Sequence, residues 1–274
     1  MGVRNRLIAT LLVRNGRIVQ SVNFKHTNVI GNLFTAVDFF ATWEVDELVI
    51  LDVSRIPGGH EQFLKEVVYE VTHRCFIPIT VGGWIRSVED AQKTIRWGAD
   101  KVVINTEAYR QPELIAQMAM ALGSQAVVVS IDVHKGEDGD RVCIDRGKEM
   151  VKCIPIEWAK WAVDCGAGEI YLTSIDRDGS MLGYDLELTK AVSEAVSVPV
   201  IASGGVGKWE HLVDGLTIGM ADAVSVANKF HFMEHSTRAA KLFLMRAGMN
   251  VRPTTFMDMG WDRRVQYQVN YRAT

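Results

Sequence analysis

The chain has 274 residues, 48% of them hydrophobic and 23% charged, proportions that suit a folded globular protein of one or two domains. A net charge of −3, an isoelectric point near 6.2 and no long basic cluster remove the electrostatic reason to expect nucleic acid as a partner. No apolar stretch is long enough to span a bilayer, and the cysteines (Cys75, Cys143, Cys153 and Cys165) form no Cys-x-x-Cys pair, so they read as buried thiols in a reducing cytoplasm.

The first apolar run, Leu7–Val13, follows a weakly basic start and faintly imitates a signal peptide. Arg14 follows at once without a small-residue cleavage site, and Arg6 stands where a myristoylation signal needs Ser or Thr, so the run reads as a first strand. Seven more short, β-branched runs follow: Glu47–Val53, Ile77–Gly82, Lys101–Asn105, Ala126–Asp132, Glu169–Ile175, Val198–Ser203 and Ala223–Ala227. Helical patterns separate most of them, at Leu33–Glu44, Gln62–Thr72, Val88–Trp97, Pro112–Leu122, Ile156–Cys165, Leu186–Ala195 and Trp209–Thr217. Near-continuous apolar strands alternating with helices predict a (β/α)8 TIM barrel, one α/β domain over residues 1–252 with 253–274 as an extension. An open doubly wound sheet is the alternative, disfavoured because its Gly-x-Gly-x-x-Gly fingerprint is absent.

The barrel is also expected to be a twofold repeat. Pro78-Ile-Thr-Val-Gly82-Gly83 and Pro199-Val-Ile-Ala-Ser-Gly204-Gly205 echo each other, and each first glycine lies 17 positions before an Ala-Asp pair, Ala99-Asp100 or Ala221-Asp222. Glu47 and Glu169 share the same offset of 122, giving half-barrels of about 1–122 and 123–252. Chemistry in such barrels sits at the C-terminal ends of the strands. There the candidates are Leu12, Asp52, Gly83, Thr106, Asp132, Asp178, Gly204, Gly205 and Asn228. Paired glycines leading into helices let backbone N–H groups approach a phosphate, and two such loops across a barrel mouth suit a ligand phosphorylated at both ends. The plainer reading is that glycines only permit tight turns. No cofactor is called for.

At this level of detail the chain resembles the cyclase subunit of imidazole glycerol phosphate synthase, the HisF family, over roughly residues 4–252. The motifs that carry the resemblance are Asp46–Asp52, Gly98–Thr106, Gly123–Asp132, Gly166–Gly179, Ile201–Gly205 and Phe230-His-Phe232. The resemblance implies a two-subunit enzyme. A glutaminase docks on the N-terminal face and releases ammonia, which crosses the barrel to a mouth where a bisphosphate substrate is cleaved and cyclised by two aspartates.

Carried across residue by residue, the resemblance gives an uneven result. The acid of the fifth strand is present as Asp132, but the acid of the first strand is replaced by Leu12, which cannot move a proton. A lysine of the following loop falls at Gln20, and the third glycine of the first phosphate loop is Trp84. Phosphate contacts would fall on Gly83, Trp84, Thr106, Gly204, Gly205 and Asn228, the last usually serine in the family. The charged ring implied at the barrel base is complete as Arg6, Glu47, Lys101 and Glu169, and the implied glutaminase interface retains Asp100 and Gln125. A plain salt-bridged plug is the structural alternative for the ring.

Asp178, within Asp176-Arg-Asp178-Gly179, is a candidate substitute acid, although adjacent charges of this kind often pair with each other. His231 and His235 are spaced for one helix face, but no third ligand is evident and no metal is expected. Trp84, Trp158, Trp161 and Trp209 read as core or interface residues. The tail from Pro253, with Trp261, Tyr267 and Tyr271, reads either as a docking segment or as a disordered end.

Three functional readings follow. In the first, the barrel is a paralogue that has lost cyclisation and channels ammonia from a HisH-like glutaminase to a sugar amidotransferase making an acetamidino sugar of a surface polysaccharide. In the second it is a genuine cyclase, a lyase of histidine biosynthesis, with Asp132 and Asp178 sharing the proton work. In the third it is a non-catalytic activator of the glutaminase.

Overall fold

A computed structural model describes residues 4–54, 60–231 and 236–254. Strand β1 (Arg6–Arg14) turns through Asn15-Gly16 into a hairpin of β2 (Arg17–Val22) and β3 (Lys25–Asn32), and α1 (Leu33–Thr42) follows. Then come β4 (Glu47–Asp52), α2 (His60–Arg74), β5 (Ile79–Gly82), α3 (Val88–Arg96), β6 (Lys101–Ile104), α4 (Thr106–Arg110) and α5 (Glu113–Leu122). The second half holds β7 (Val127–Gly136), the small strands β8 (Gly139–Ile144) and β9 (Glu149–Met150), α6 (Pro155–Asp164) and β10 (Glu169–Ser174). It closes with α7 (Leu186–Ser193), β11 (Val200–Ser203), α8 (Glu210–Thr217), β12 (Ala223–Val226) and α9 (Ser236–Arg246).

Eight strands form a closed parallel barrel in the order β1, β4, β5, β6, β7, β10, β11, β12 and back to β1. The TIM-barrel expectation is met. The period of two in each strand explains why the runs are apolar throughout. On β1, Leu7, Ala9 and Leu11 face outward into the layer beneath the helices, while Ile8 joins Val49, Val103, Val128, Tyr171, Ile201 and Ala223 inside. Side-chain caps start several helices: Asn32 accepts the N–H groups of Phe34 and Thr35, Ser87 that of Asp90, and Asp185 that of Leu188.

Three aspartates at the base do one job. The carboxylates of Asp46, Asp100 and Asp222 accept the backbone N–H groups of Leu7, Ile79 and Val200 at 2.9, 2.8 and 2.9 Å, tying each strand start to its neighbour. Asp46 also pairs with the buried Lys241 of α9 at 2.6 Å and with Arg252 at 3.0 Å, which anchors the end of the barrel.

Several expectations need correction. The β2–β3 hairpin, the β8–β9 ribbon and α9 are additions to the plain strand–helix alternation. Cys75 and Cys143 are buried, but Cys153 and Cys165 are only partly so, and all four are free thiols. Trp158 and Trp209 are buried as expected, whereas Trp161 is half exposed, edge-on to Trp158. No helix among the described residues is long and apolar enough to cross a membrane. His235, Trp261, Tyr267 and Tyr271 lie outside the described residues.

Candidate functional site

The base of the barrel holds a closed ring of ion pairs. Arg6 on β1 binds Glu47 on β4 at 2.7 Å and also Glu169 on β10. Lys101 on β6 binds Glu169 at 2.9 Å and Glu47 at 3.4 Å. Each carboxylate therefore sits between two cations, so the four charges expected here do converge. Burial alone would disfavour the charge on Arg6, but Glu169 and Glu47 outweigh it and hold the guanidinium above its ordinary pKa. Asp100 and Gln125, the expected partner-contact residues, are both exposed at this end. Asp100 already spends its carboxylate on the Ile79 N–H.

The opposite end opens into a cavity of about 280 Å3, whose lining includes Leu12, Trp84, Asn105, Asp132, Tyr171 and Asp178. Asp132, buried on β7, accepts hydrogen bonds from Asn105 Nδ2 at 3.0 Å and from Ser130 Oγ at 3.4 Å. Burial lifts its carboxyl to about 7 against those two bonds, and the charge of Asp178 adds to the rise. A carboxyl poised there is suited to proton transfer near neutral pH. The first-strand position offers it no partner, because Leu12 is the side chain in the wall.

Asp178 lines the same cavity and also bonds the β2–β3 hairpin. It accepts the Ser21 hydroxyl at 2.6 Å and the Phe24 N–H at 3.1 Å, while its backbone oxygen receives the Asn23 N–H at 3.0 Å. Asn228, expected at a phosphate, donates its side-chain amide to the Ser21 carbonyl at 2.7 Å. Both residues thus latch the β2–β3 hairpin at the mouth cavity, which Ser21 and Phe24 also line. Burial raises the Asp178 carboxyl, opposed by the bonds from Ser21 and Phe24.

At the first glycine loop Trp84 takes the left-handed conformation (φ 62°), strained for a bulky residue, and Arg86 stacks 4.7 Å from its ring centre. The Thr106 hydroxyl accepts the Asp145 N–H at 2.9 Å, and Arg146 reaches across to the Ser54 carbonyl at 3.1 Å. These groups line the mouth cavity beside the first glycine loop, where a phosphate was expected. The glycines themselves are required by backbone packing. A Cβ on Gly83 would meet the Asp52 oxygen at 2.4 Å, and one on Gly205 the Gly183 oxygen at 2.1 Å. Gly204 similarly lies against Ser174.

Away from the mouth, His231 packs edge-on against Phe40, and burial lowers it to about 4, a core histidine's environment. Sequence reasoning missed Ser130 and Tyr171. Counting by twos from Glu169 would have placed Tyr171 and Thr173 on the barrel axis.

A sequence profile for the histidine biosynthesis protein family matches residues 6–236. The chain belongs to that family. Relatives described as imidazole glycerol phosphate synthase subunit HisF align over 247 residues, 90% of this chain and 98% of the relative. Identity is 45% to the protein of Chloroherpeton thalassium and 46% to those of Chlorobium phaeovibrioides and Chlorobaculum tepidum. Family membership accounts for the barrel. The mouth of this member carries Leu12, Gln20 and Trp84 where the family resemblance implies an aspartate, a lysine and a glycine.

Proposed function

We propose that this chain is the HisF-like barrel of a glutamine-dependent amidotransferase system in which cyclisation has been lost and ammonia delivery kept. A HisH-like glutaminase docks on the base beside Asp100 and Gln125. Ammonia enters through the ring of Arg6, Glu47, Lys101 and Glu169 and leaves at the mouth for a sugar amidotransferase. Conversion of an N-acetyl to an acetamidino group on a surface-polysaccharide sugar is the reaction class that fits. Asp132 is then a polar contact at the exit.

The observation that carries this reading is the contrast between the two ends. The base ring is complete and closed by four ion pairs. At the mouth Leu12 lines the wall where the resemblance implies an acid, and Asp178 and Asn228 bond the hairpin. The cyclase of the resemblance works with one acid on the first strand and one on the fifth, and Leu12 removes the first of that pair. A second reading, a true cyclase, is favoured by the names of the relatives and by the poise of Asp132 near neutrality.

Delivery is tested by isotope retention in the complete complex of glutaminase, barrel and acceptor enzyme. With amide-15N-glutamine and excess unlabelled ammonium, the aminated product is expected to keep its label. Dilution of the label to the bulk ratio contradicts delivery through the barrel.

A further inference from the structure

The last helix of the barrel is buried on every side. Each residue of α9 from Ser236 to Leu242 is buried, and at 3.6 residues per turn that run goes almost twice round the helix axis. A barrel helix ordinarily buries one face and wets the other, as α1 does with exposed Thr35, Asp38 and Thr42 and α7 with exposed Glu187 and Lys190. On α9 the Thr237 and Lys241 edge meets the end of α1, through bonds to the Trp43 and Glu44 carbonyls at 3.1 and 2.5 Å. The opposite edge, Ala239 and Phe243, turns toward α8. Of the two edges left, Ser236 and Ala240 are small and wholly buried, which suits the barrel wall. The outward edge is then Arg238 and Leu242, yet these are only 4% and 7% exposed. Something lies over them.

The chain leaves the described residues at this same spot. Arg252 donates to the Glu44 and Val45 carbonyls at 3.3 and 2.9 Å, and the hydroxyl of the buried Thr254 donates to the Glu44 carboxylate. Glu44 is also the residue whose carbonyl Lys241 binds, so Thr254 and the middle of α9 share a neighbour. From Lys241 to Arg238 is one turn, about 4.5 Å along the axis. Residues 255–274 follow Thr254, and a chain of that length reaches roughly 60 Å when extended, several times the length of α9. Its chemistry matches the covered edge. Phe256, Met257, Met259 and Trp261 offer apolar surface to Leu242, while Asp258 and Asp262 offer carboxylates to Arg238. A buried guanidinium needs such partners, and burial lowers Arg238 against the pull of Glu44.

We infer that residues 255–274 fold back on their own barrel and lie along the outer face of α9, over Arg238 and Leu242. The segment is a strap across the seam where the last helix meets the first, and the occupant of this surface is the same chain rather than a partner enzyme. The inference stands independently of ammonia delivery, and it gives a place to the aromatic tail that the family resemblance leaves out.

The test is hydrogen–deuterium exchange on the full-length protein, with a synthetic peptide of residues 255–274 as the unfolded reference. Amides between Phe256 and Asp262 are expected to exchange at least about tenfold more slowly in the protein than in the peptide, to the same extent when the protein is diluted tenfold. In the full-length double variant Phe256→Ser with Trp261→Ser, those amides are expected to exchange at peptide rates. The amides of Ala239 to Leu242 should speed up at least about tenfold, while Val128 and Val129 in β7 stay unchanged. Peptide-like exchange of the tail in the wild type overturns the strap, and that measurement needs no variant to fold. Protection that fades on dilution overturns it in favour of a second copy as the occupant. Unchanged exchange in α9 of the double variant also overturns it, because the cover of Arg238 and Leu242 then comes from another stretch.

Discussion

At the scale of single residues, Asp132 carries the sharpest pH signature. Its folded pKa of about 7 lies well above that of an exposed aspartate. Between about pH 4 and pH 7 the folded chain holds a proton that the unfolded chain has released, so this residue's contribution to stability falls across that window and is flat above it. Asp132→Asn is neutral at every pH. It is expected to melt at a higher temperature than wild type at pH 8 and to lose that advantage at pH 4. Thermal melts at matched ionic strength check this, and an equal difference at both pH values contradicts it. The ring predicts the opposite kind of effect. Glu169→Ala leaves Arg6 and Lys101 with one carboxylate between them and is expected to cost about 3 kcal/mol in urea unfolding. A cost under about 0.5 kcal/mol would mean the ring charges are effectively solvated. Leu12 and the four ring residues were legible in the sequence itself, because each is a residue type at a position of implied role. The commitments of Asp178 and Asn228 were not, since their partner Ser21 lies 157 and 207 positions away.

At the scale of elements, the β2–β3 hairpin is the part of the mouth that departs most from the expected plan. A two-residue turn joins β1 to β2, with Asn15 and Gly16 at φ 49° and 77° and Arg14 paired with Arg17. Asn-Gly between two β-branched runs is the strongest local hairpin signal, and the sequence carries it. The helix-after-strand rhythm of a barrel masks that signal, because it leaves no place for a hairpin. The hairpin is held by side chains from two other loops, after β10 and after β12, so removing them has a local consequence. Asp178→Ala is expected to speed amide exchange at Phe24 by at least tenfold while the exchange of Val128 and Val129 in β7 stays unchanged, as read by hydrogen–deuterium exchange. Protection of Phe24 at the wild-type level would show that Asp178 is not the latch. The strand and helix positions themselves were legible to within about two residues at most ends, since buried parallel strands announce themselves as unbroken apolar runs.

At the scale of the whole molecule, the barrel closes by the pairing of β7 with β10 and of β12 with β1. Its first and last parts are tied together through Asp46, which bonds Leu7, Lys241 and Arg252. Lys241 is fully buried, and burial lowers its pKa against the pull of Asp46. Lys241→Ala would leave the Asp46 charge with weaker partners and is expected to cost about 3 kcal/mol in global stability, measured by denaturant titration. The eightfold alternation and the closed architecture were readable from periodicity alone. The proposed asymmetry between base and mouth was legible only through the family resemblance, because periodicity assigns no role to Leu12 or to the ring charges.

That asymmetry is tested most directly by giving the purified barrel the bisphosphate substrate of imidazole glycerol phosphate synthase with saturating free ammonia, which bypasses any glutaminase. The account predicts no imidazole glycerol phosphate above background. Turnover that disappears in Asp132→Asn would contradict it and make this chain a working cyclase.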